Sequence, residues 1–165
     1  MEVLRFTNSE EVFHLAEQAF NETKKRILEL IPRSDVQHVG STAIPGSMTK
    51  GDLDIQVRVS PEDFQDTAEA LSAIYEINDG STQTKSFQSF KDDCATPPLG
   101  IQLTVIDSDL DIFWRLRDVL MKNEHLRTEY DQLKSSCHGK RMEEYRQEKS
   151  LFFQKVMDSE EFRSL

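Results

Sequence analysis

Cysteine, tryptophan and glycine are scarce: two, one and six among 165 residues. Cys94 and Cys137 make neither a disulfide framework nor the four-ligand spacing of a structural zinc site. Thiol nucleophile chemistry has no support, because Cys94 has no base beside it and Cys137 only His138. His125 and His138 occur singly, without an H-E-x-x-H pattern. Long apolar runs are also missing. None approaches the roughly 18 residues a membrane helix needs, and the acidic opening MEVLRFTNSEEVFHL has no basic-then-apolar leader pattern. A reduced, cytoplasmic chain with no membrane partner is the expectation. Basic charge is in deficit as well, 20 Lys and Arg against 30 Asp and Glu, for a net charge of −10. That excludes broad backbone contact with long nucleic acid, which needs a basic stripe. It leaves room for a small phosphorylated ligand held by a few local cations.

No repeat, low-complexity tract or linker divides the chain, so one domain over residues 1–165 is expected. Residues 10–31 predict an amphipathic helix, with Val12, Ala16, Ala19, Phe20, Thr23, Ile27 and Ile31 on one stripe. Ser9 is placed to cap it and Pro32 to stop it. A short strand is expected over 35–39. DLDIQVRV, residues 52–59, alternates with period two: Leu53, Ile55, Val57 and Val59 on one face, Asp52, Asp54, Gln56 and Arg58 on the other. Ser60-Pro61 predicts a helix start running to Ala73. Strands follow within 75–91, around a turn at Asn78-Asp79-Gly80. Then come a loop over 91–100, a strand over 101–106, and helical periods over 110–123, 126–136 and 140–158. The order points to an α/β (α+β) fold, a mixed sheet packed with helices, with residues 109–158 forming a mainly helical C-terminal segment.

The chemistry-bearing stretch is HVGSTAIPGSMTKGDLDIQV, residues 38–57. Asp52 and Asp54 leave the same face of their strand, so a divalent cation would relieve their mutual repulsion. Magnesium is commonly held by one or two carboxylates plus substrate phosphates. Gly40-Ser41 lets backbone N–H groups approach an anion, Thr42 adds a hydroxyl, and Lys50 offers a mobile point charge. The glycine spacing is that of neither a Walker A loop nor a dinucleotide fingerprint. The competing reading is a tight surface loop running into a strand that carries two ordinary acids.

HVGSTAIPG, Thr49-Lys50 and Leu53-Asp54-Ile55 resemble the signature of the GrpB-like (UPF0157) family, whose fold is similar to the polymerase-beta-type nucleotidyltransferases. Looser agreement covers Gln102-Leu103-Thr104-Val105, Trp114 to Asp118, Tyr130, Leu133-Lys134, Tyr145, Lys149 and Phe152. The resemblance implies a Gly-Ser turn holding a triphosphate and two strand acids, Asp52 and Asp54, binding magnesium and serving catalysis. A third acid is expected from a later strand. Here that strand offers Gln102 and Thr104, with Asp107 or Asp109 as substitutes only if the chain brings one to the Asp52/Asp54 face. Three functions follow: a magnesium-dependent nucleotidyltransferase acting on a small-molecule or protein acceptor, a noncatalytic module that binds a nucleoside triphosphate or another phosphorylated small molecule, or a small protein-interaction domain whose loop is only structural.

Four further residues are candidate ligand contacts: His38, Gln102, Thr104 and Lys149. His38 either orients the loop or touches phosphate, or is a satisfied strand histidine. Arg58 is expected to neutralise the acids on its face. Trp114 reads as a packing residue on a helical stripe. Arg115 and Arg117 either meet phosphate or pair with Asp111 and Asp118. Lys85 and Lys91 flank the phenylalanine strand and read as solvated lysines.

Overall fold

The computed structural model describes residues 4–165. Helix α1 (Glu10–Leu30) opens with Glu10 and Glu11 in its first turn, where the helix dipole favours acids. Ser9 occupies the cap position but its side chain makes no capping bond, contrary to the sequence expectation. Ile31 closes the last turn through its N–H to Ile27 O at 2.7 Å, and Pro32 prevents continuation. Strands β1 (Asp35–Val39) and β2 (Leu53–Val59) follow, separated by the glycine-rich loop and its single 3-10 turn at Ser41–Ala43. The helix expected from Ser60 begins as a 3-10 turn, Pro61–Asp63, and becomes α2 (Phe64–Ser72). Strands β3 (Glu76–Ile77), β4 (Phe87–Asp92) and β5 (Leu99–Val105) come next. The helical segment comprises α3 (Phe113–Lys122), α4 (Glu124–Cys137), α5 (Met142–Met157) and the short α6 (Glu160–Arg163), which the sequence pattern did not predict.

The five strands form a mixed sheet in the order β1-β2-β5-β4-β3. β2 and β5 run parallel, and every other neighbouring pair is antiparallel. The period-two alternation of β2 separates the two halves of the molecule. Leu53, Ile55, Val57 and Val59 are buried with Ile101, Leu103, Phe64 and Leu71 in a core that also takes in Ile27 of α1. The other face carries the polar residues in register: Asp54 beside Gly100 and Val39, Gln56 beside Gln102 and Gln37, Arg58 beside Thr104 and Asp35. A second core, with Val119, Leu120, Leu126, Tyr130, Phe152 and Val156, holds the C-terminal helices together around Ile44 of the loop.

At the end of the polar face beyond Gln56, a buried network closes the sheet. Arg58 Nε and Nη2 grip the Asp111 carboxylate at 2.7 and 2.8 Å, and Nη1 reaches Asp35 at 2.8 Å. Gln56 Nε2 donates to Asp111 Oδ1 and Thr104 Oγ1 at 2.8 and 2.9 Å, and its Oε1 accepts the Trp114 backbone N–H at 3.0 Å. Burial by itself would raise the Asp111 carboxyl, but the hydrogen bonds from Arg58, the Asp107 N–H and Gln56 outweigh it and hold it below its ordinary range. Trp114 lies over the Arg58 guanidinium, 5.1 Å from ring centre to carbon, and donates Nε1–H to Asp111 at 3.1 Å. Arg58 therefore serves Asp111 and Asp35, not the Asp52/Asp54 pair that the sequence reading assigned to it. Trp114 is half-buried above this network and is not a core side chain.

Candidate functional site

The polar face opens, at the Asp54 end, into a cavity of about 350 Å³. That lies at the lower end of the range for small-molecule sites, roughly 300–1,000 Å³. Its polar wall comes from the loop and sheet: Gly40, Ser41, Lys50, Asp52, Asp54 and Gln102. Its other wall comes from the C-terminal helices, with Leu116, Tyr130, Tyr145, Lys149, Phe153 and Met157, and Phe6 borders it from the N-terminal side. The expected residues Gly40, Ser41, Lys50, Asp52, Asp54, Gln102 and Lys149 thus meet around one space although they span more than half of the chain.

The loop keeps its shape by internal bonds. Gly40 adopts φ +76°, a left-handed conformation that costs other residues energy. A Cβ at Gly40 would also run into Asp54 Oδ2, and one at Gly100 would stand 3.1 Å from Oδ1. Both glycines therefore leave room for the Asp54 carboxyl. G40A is expected to cost roughly 2–3 kcal/mol from strain and collision together, a fall in Tm of about 5–10 °C. Unchanged thermal unfolding would contradict this close approach.

Ser41 Oγ and Thr49 Oγ1 share a hydrogen bond at 2.7 Å, and Thr49 Oγ1 accepts the Gly51 N–H at 3.0 Å. Thr42 Oγ1 donates to Asp52 O, and His38 Nε2 bonds to Thr42 Oγ1, both at 3.0 Å. Because the threonine proton goes to the carbonyl, His38 carries its proton on Nε2 and donates. His38 also stacks on Phe20, with ring centres 4.9 Å apart. His38, Thr42 and Thr104 lie outside the cavity lining: the first two brace the loop and the third accepts from Gln56. The Ser41 and Thr42 N–H groups donate to no described residue.

Asp54 accepts no side-chain hydrogen bond from a described residue, and the nearest cation to Asp52 is Lys50 at 3.8 Å. Burial pushes the Asp54 carboxyl up to about 6; Lys149 pulls it down, Asp52 adds to the rise and Lys50 opposes it. Lys149, on α5, makes no salt bridge with a described residue and sits 5.6 and 5.8 Å from the ring centres of Tyr145 and Phe153. Tyr130 and Tyr145 join their hydroxyls at 3.2 Å, and burial raises both phenols. Arg117 lines the same space but is engaged by Gln37 Oε1, His38 O and Asp118.

Among the described residues, no third acid lines the cavity with the pair. Among the described residues, no group of three His, Cys, Asp or Glu side chains could hold a metal ion. Asp107 and Asp109 are exposed, Asp107 in a turn with φ +65°, so neither serves as the substitute that the sequence allowed. Gln102 stands where that acid was expected, and its amide makes no hydrogen bond to a described residue. Lys91 pairs with Asp93 at the surface. Phe6, Thr49, Tyr130 and Phe153 also line the wall, and nothing in their types and spacing in the sequence sets them apart from ordinary packing positions.

Two half-buried groups, His38 and Asp54, give the site opposing pH effects. Burial, with help from Arg117, pushes His38 down to about 4, so its contribution to stability is lost as pH falls from 6.5 through about 4. Asp54 binds its proton more tightly folded than unfolded, so stability falls as pH rises from 3.8 to about 6. With divalent ions chelated, D54N is expected to leave the His38 slope alone. Its urea midpoint should climb from pH 4 to pH 6.5 more steeply than that of wild type, and exceed it at pH 7. Parallel profiles would contradict the burial of Asp54.

A family model described as GrpB protein matches residues 14–159. A UPF0157 protein of Vibrio cholerae is 29% identical over 154 residues, covering 93% of this chain and 82% of that protein. The crystal structure of conserved protein GrpB from Enterococcus faecalis is similar at TM-score 0.74 and 18% identity, over 97% of this chain and 98% of its own, a likeness of fold. The Cid1 poly(U) polymerase with MgGTP bound matches at TM-score 0.45 and 12% identity, over 74% of this chain and 44% of its own, too loosely to carry residue roles across. No helix of the described residues is long and apolar enough to cross a membrane.

Proposed function

The chain belongs to the GrpB protein family, and from the residues gathered in its cavity we propose that it binds a nucleoside triphosphate, or a phosphorylated small molecule of similar size, together with one magnesium ion. The observation that carries this reading is the convergence of Gly40, Ser41, Lys50, Asp52 and Asp54 on one cavity that Lys149 faces from the opposite wall. Lys50 and Lys149 supply two cations for phosphate oxygens, and the Ser41 N–H, which donates to no described residue, supplies a neutral donor. Ile112, Leu116, Phe153 and Met157 offer an apolar surface for the remainder of the ligand.

The donor set suits one magnesium ion. Asp54 is a half-buried carboxylate without a side-chain hydrogen-bond donor among the described residues, the two glycines beside it leave space, and Asp52 lines the same cavity. The ion, when bound, would neutralise the acids and screen them from the phosphates. A second reading, nucleotidyl transfer to a small-molecule or protein acceptor, is favoured by this acid pair. The neutral Gln102 weighs against it, since a two-metal displacement needs carboxylates to hold both ions.

Isothermal titration of the four common nucleoside triphosphates, with and without magnesium, tests the binding reading. Saturable, magnesium-dependent binding of at least one is expected. No binding of any of the four to folded protein would sink the nucleotide reading. Pyrophosphate release in the presence of candidate acceptors separates the transferase from the binding module.

A further inference from the structure

We propose that Asp131 and Lys134 of α4 are positioning residues that hold the outgoing limb of the ligand loop, Ser47 to Lys50, at a set distance from the helical wall of the cavity. The inference rests on the ligand-binding reading above and adds a mechanism by which the two walls are joined.

Asp131 Oδ1 accepts the Ser47 hydroxyl at 2.9 Å and the Met48 backbone N–H at 3.0 Å. Lys134 Nζ donates to Met48 O at 2.6 Å and Ser47 Oγ at 3.2 Å, and lies 3.7 Å from the Tyr130 ring centre. One residue of the loop is thus gripped at both its N–H and its C=O by two side chains one helical turn apart. The next residue, Thr49, carries the hydroxyl that holds Ser41 and the Gly51 N–H, and Lys50 follows it. Position therefore passes from α4 through Met48 to the Gly-Ser turn and to the strand that bears the acids. The same helix presents Tyr130 to the cavity, where its hydroxyl meets that of Tyr145 on α5, one turn before Lys149.

Lys134 is 1% exposed, an unusual place for an ammonium group. Burial pulls it down to about 7, with Asp131 opposing the fall and Lys149 adding to it. Its hydrogen bonds go to the loop, and Asp131 is its neighbouring acid, so solvation by water does not explain its retention. A hydrophobic residue would fill the space without gripping Met48. Lys134 lies on the apolar stripe of α4, with Leu126, Tyr130 and Cys137, and that misplaced charge is the signal a sequence reader could have used.

The test compares D131A, K134M and D131N with wild type. The amide introduced by D131N keeps an oxygen that can accept from Met48 N and Ser47 Oγ, so this variant is the conservative control. In ligand-free protein, the Met48 and Thr49 amides are expected to exchange with deuterium about tenfold faster or more in D131A and K134M. Amides of β2 and β5 should exchange as in wild type, and D131N should stay near wild type throughout. Affinity for magnesium–ATP, or for whichever nucleotide wild type binds, should fall about tenfold in D131A and K134M and be restored in D131N. Unchanged exchange at Met48 and Thr49 overturns the proposal. So does uniform acceleration through β2 and β5, which marks general destabilisation, or a loosened loop with unaltered affinity. If wild type binds no nucleotide, the ligand reading fails by itself, and the exchange data still decide whether the pair holds the loop.

Discussion

Replacing Asp52 and Asp54 together by asparagine is expected to weaken magnesium-dependent nucleotide binding at least about a hundredfold, through loss of both charged metal ligands. The fold should survive. Asp52 is partly exposed and pairs only at 3.8 Å with Lys50. Asp54 is a carboxylate that burial disfavours in its charged form, so an amide in its place removes a cost at neutral pH. The double variant should therefore unfold at the wild-type temperature or above it, in the absence of magnesium. Calorimetric titration and a thermal melt on the same preparation check both halves. Binding retained to within a few-fold would remove the two acids from the site. A large loss of stability would recast them as structural.

The largest effect on stability is expected at Arg58. Its guanidinium grips Asp111 with two hydrogen bonds, and Asp111 is 4% exposed. R58M deletes the partner and leaves a carboxylate buried beside Gln56 and Trp114. Breaking a buried pair from one side costs about 3–5 kcal/mol, a drop in Tm on the order of 10 °C for a chain of this size. R58K should recover little, because an ammonium cannot reproduce the fork that spans both Asp111 oxygens and Asp35. Nucleotide affinity measured well below the melting temperature should change little. A loss of affinity without a loss of stability would place Arg58 in the ligand site, contrary to its contacts.

These two variants also separate what the sequence made legible from what it did not. The alternation of residues 52–59 states which side chains of β2 share a face; the strand keeps that division over Leu53–Val59, with Asp52 just before it and Gln56 buried on the polar face. The density of glycine and serine ahead of it marks the loop, and the loop does line the cavity with the acids. Alternation cannot say which partner each polar residue meets. Arg58 and Asp54 leave the same face, yet they belong to a buried structural network and to a cavity respectively, because Asp111 arrives from a turn more than fifty positions later. The same limit applies to His38, Thr42 and Thr104, whose hydrogen bonds go to the loop and sheet. β5 begins at Leu99, not at residue 101, since its first pairs with Leu53 and Asp92 are set by neighbours and not by the local Pro97-Pro98 sequence. α6 escaped notice because four residues carry too little period to read. Its Ser159 cap, which accepts the Phe162 N–H at 3.3 Å, is its one local signal.

The ligand site is tested most directly by amide nitrogen–proton NMR spectra of the full chain during titration with magnesium–ATP, or with whichever nucleotide the calorimetry selects. Progressive shifts are expected at the Gly40, Ser41, Thr42 and Gly51 amides and along α5 around Lys149, and they should vanish in the Asp52/Asp54 double variant. Shifts confined to other surfaces, such as the outward face of α1, or the same loop shifts persisting in the double variant, would contradict the assignment of this cavity as a magnesium–nucleotide site.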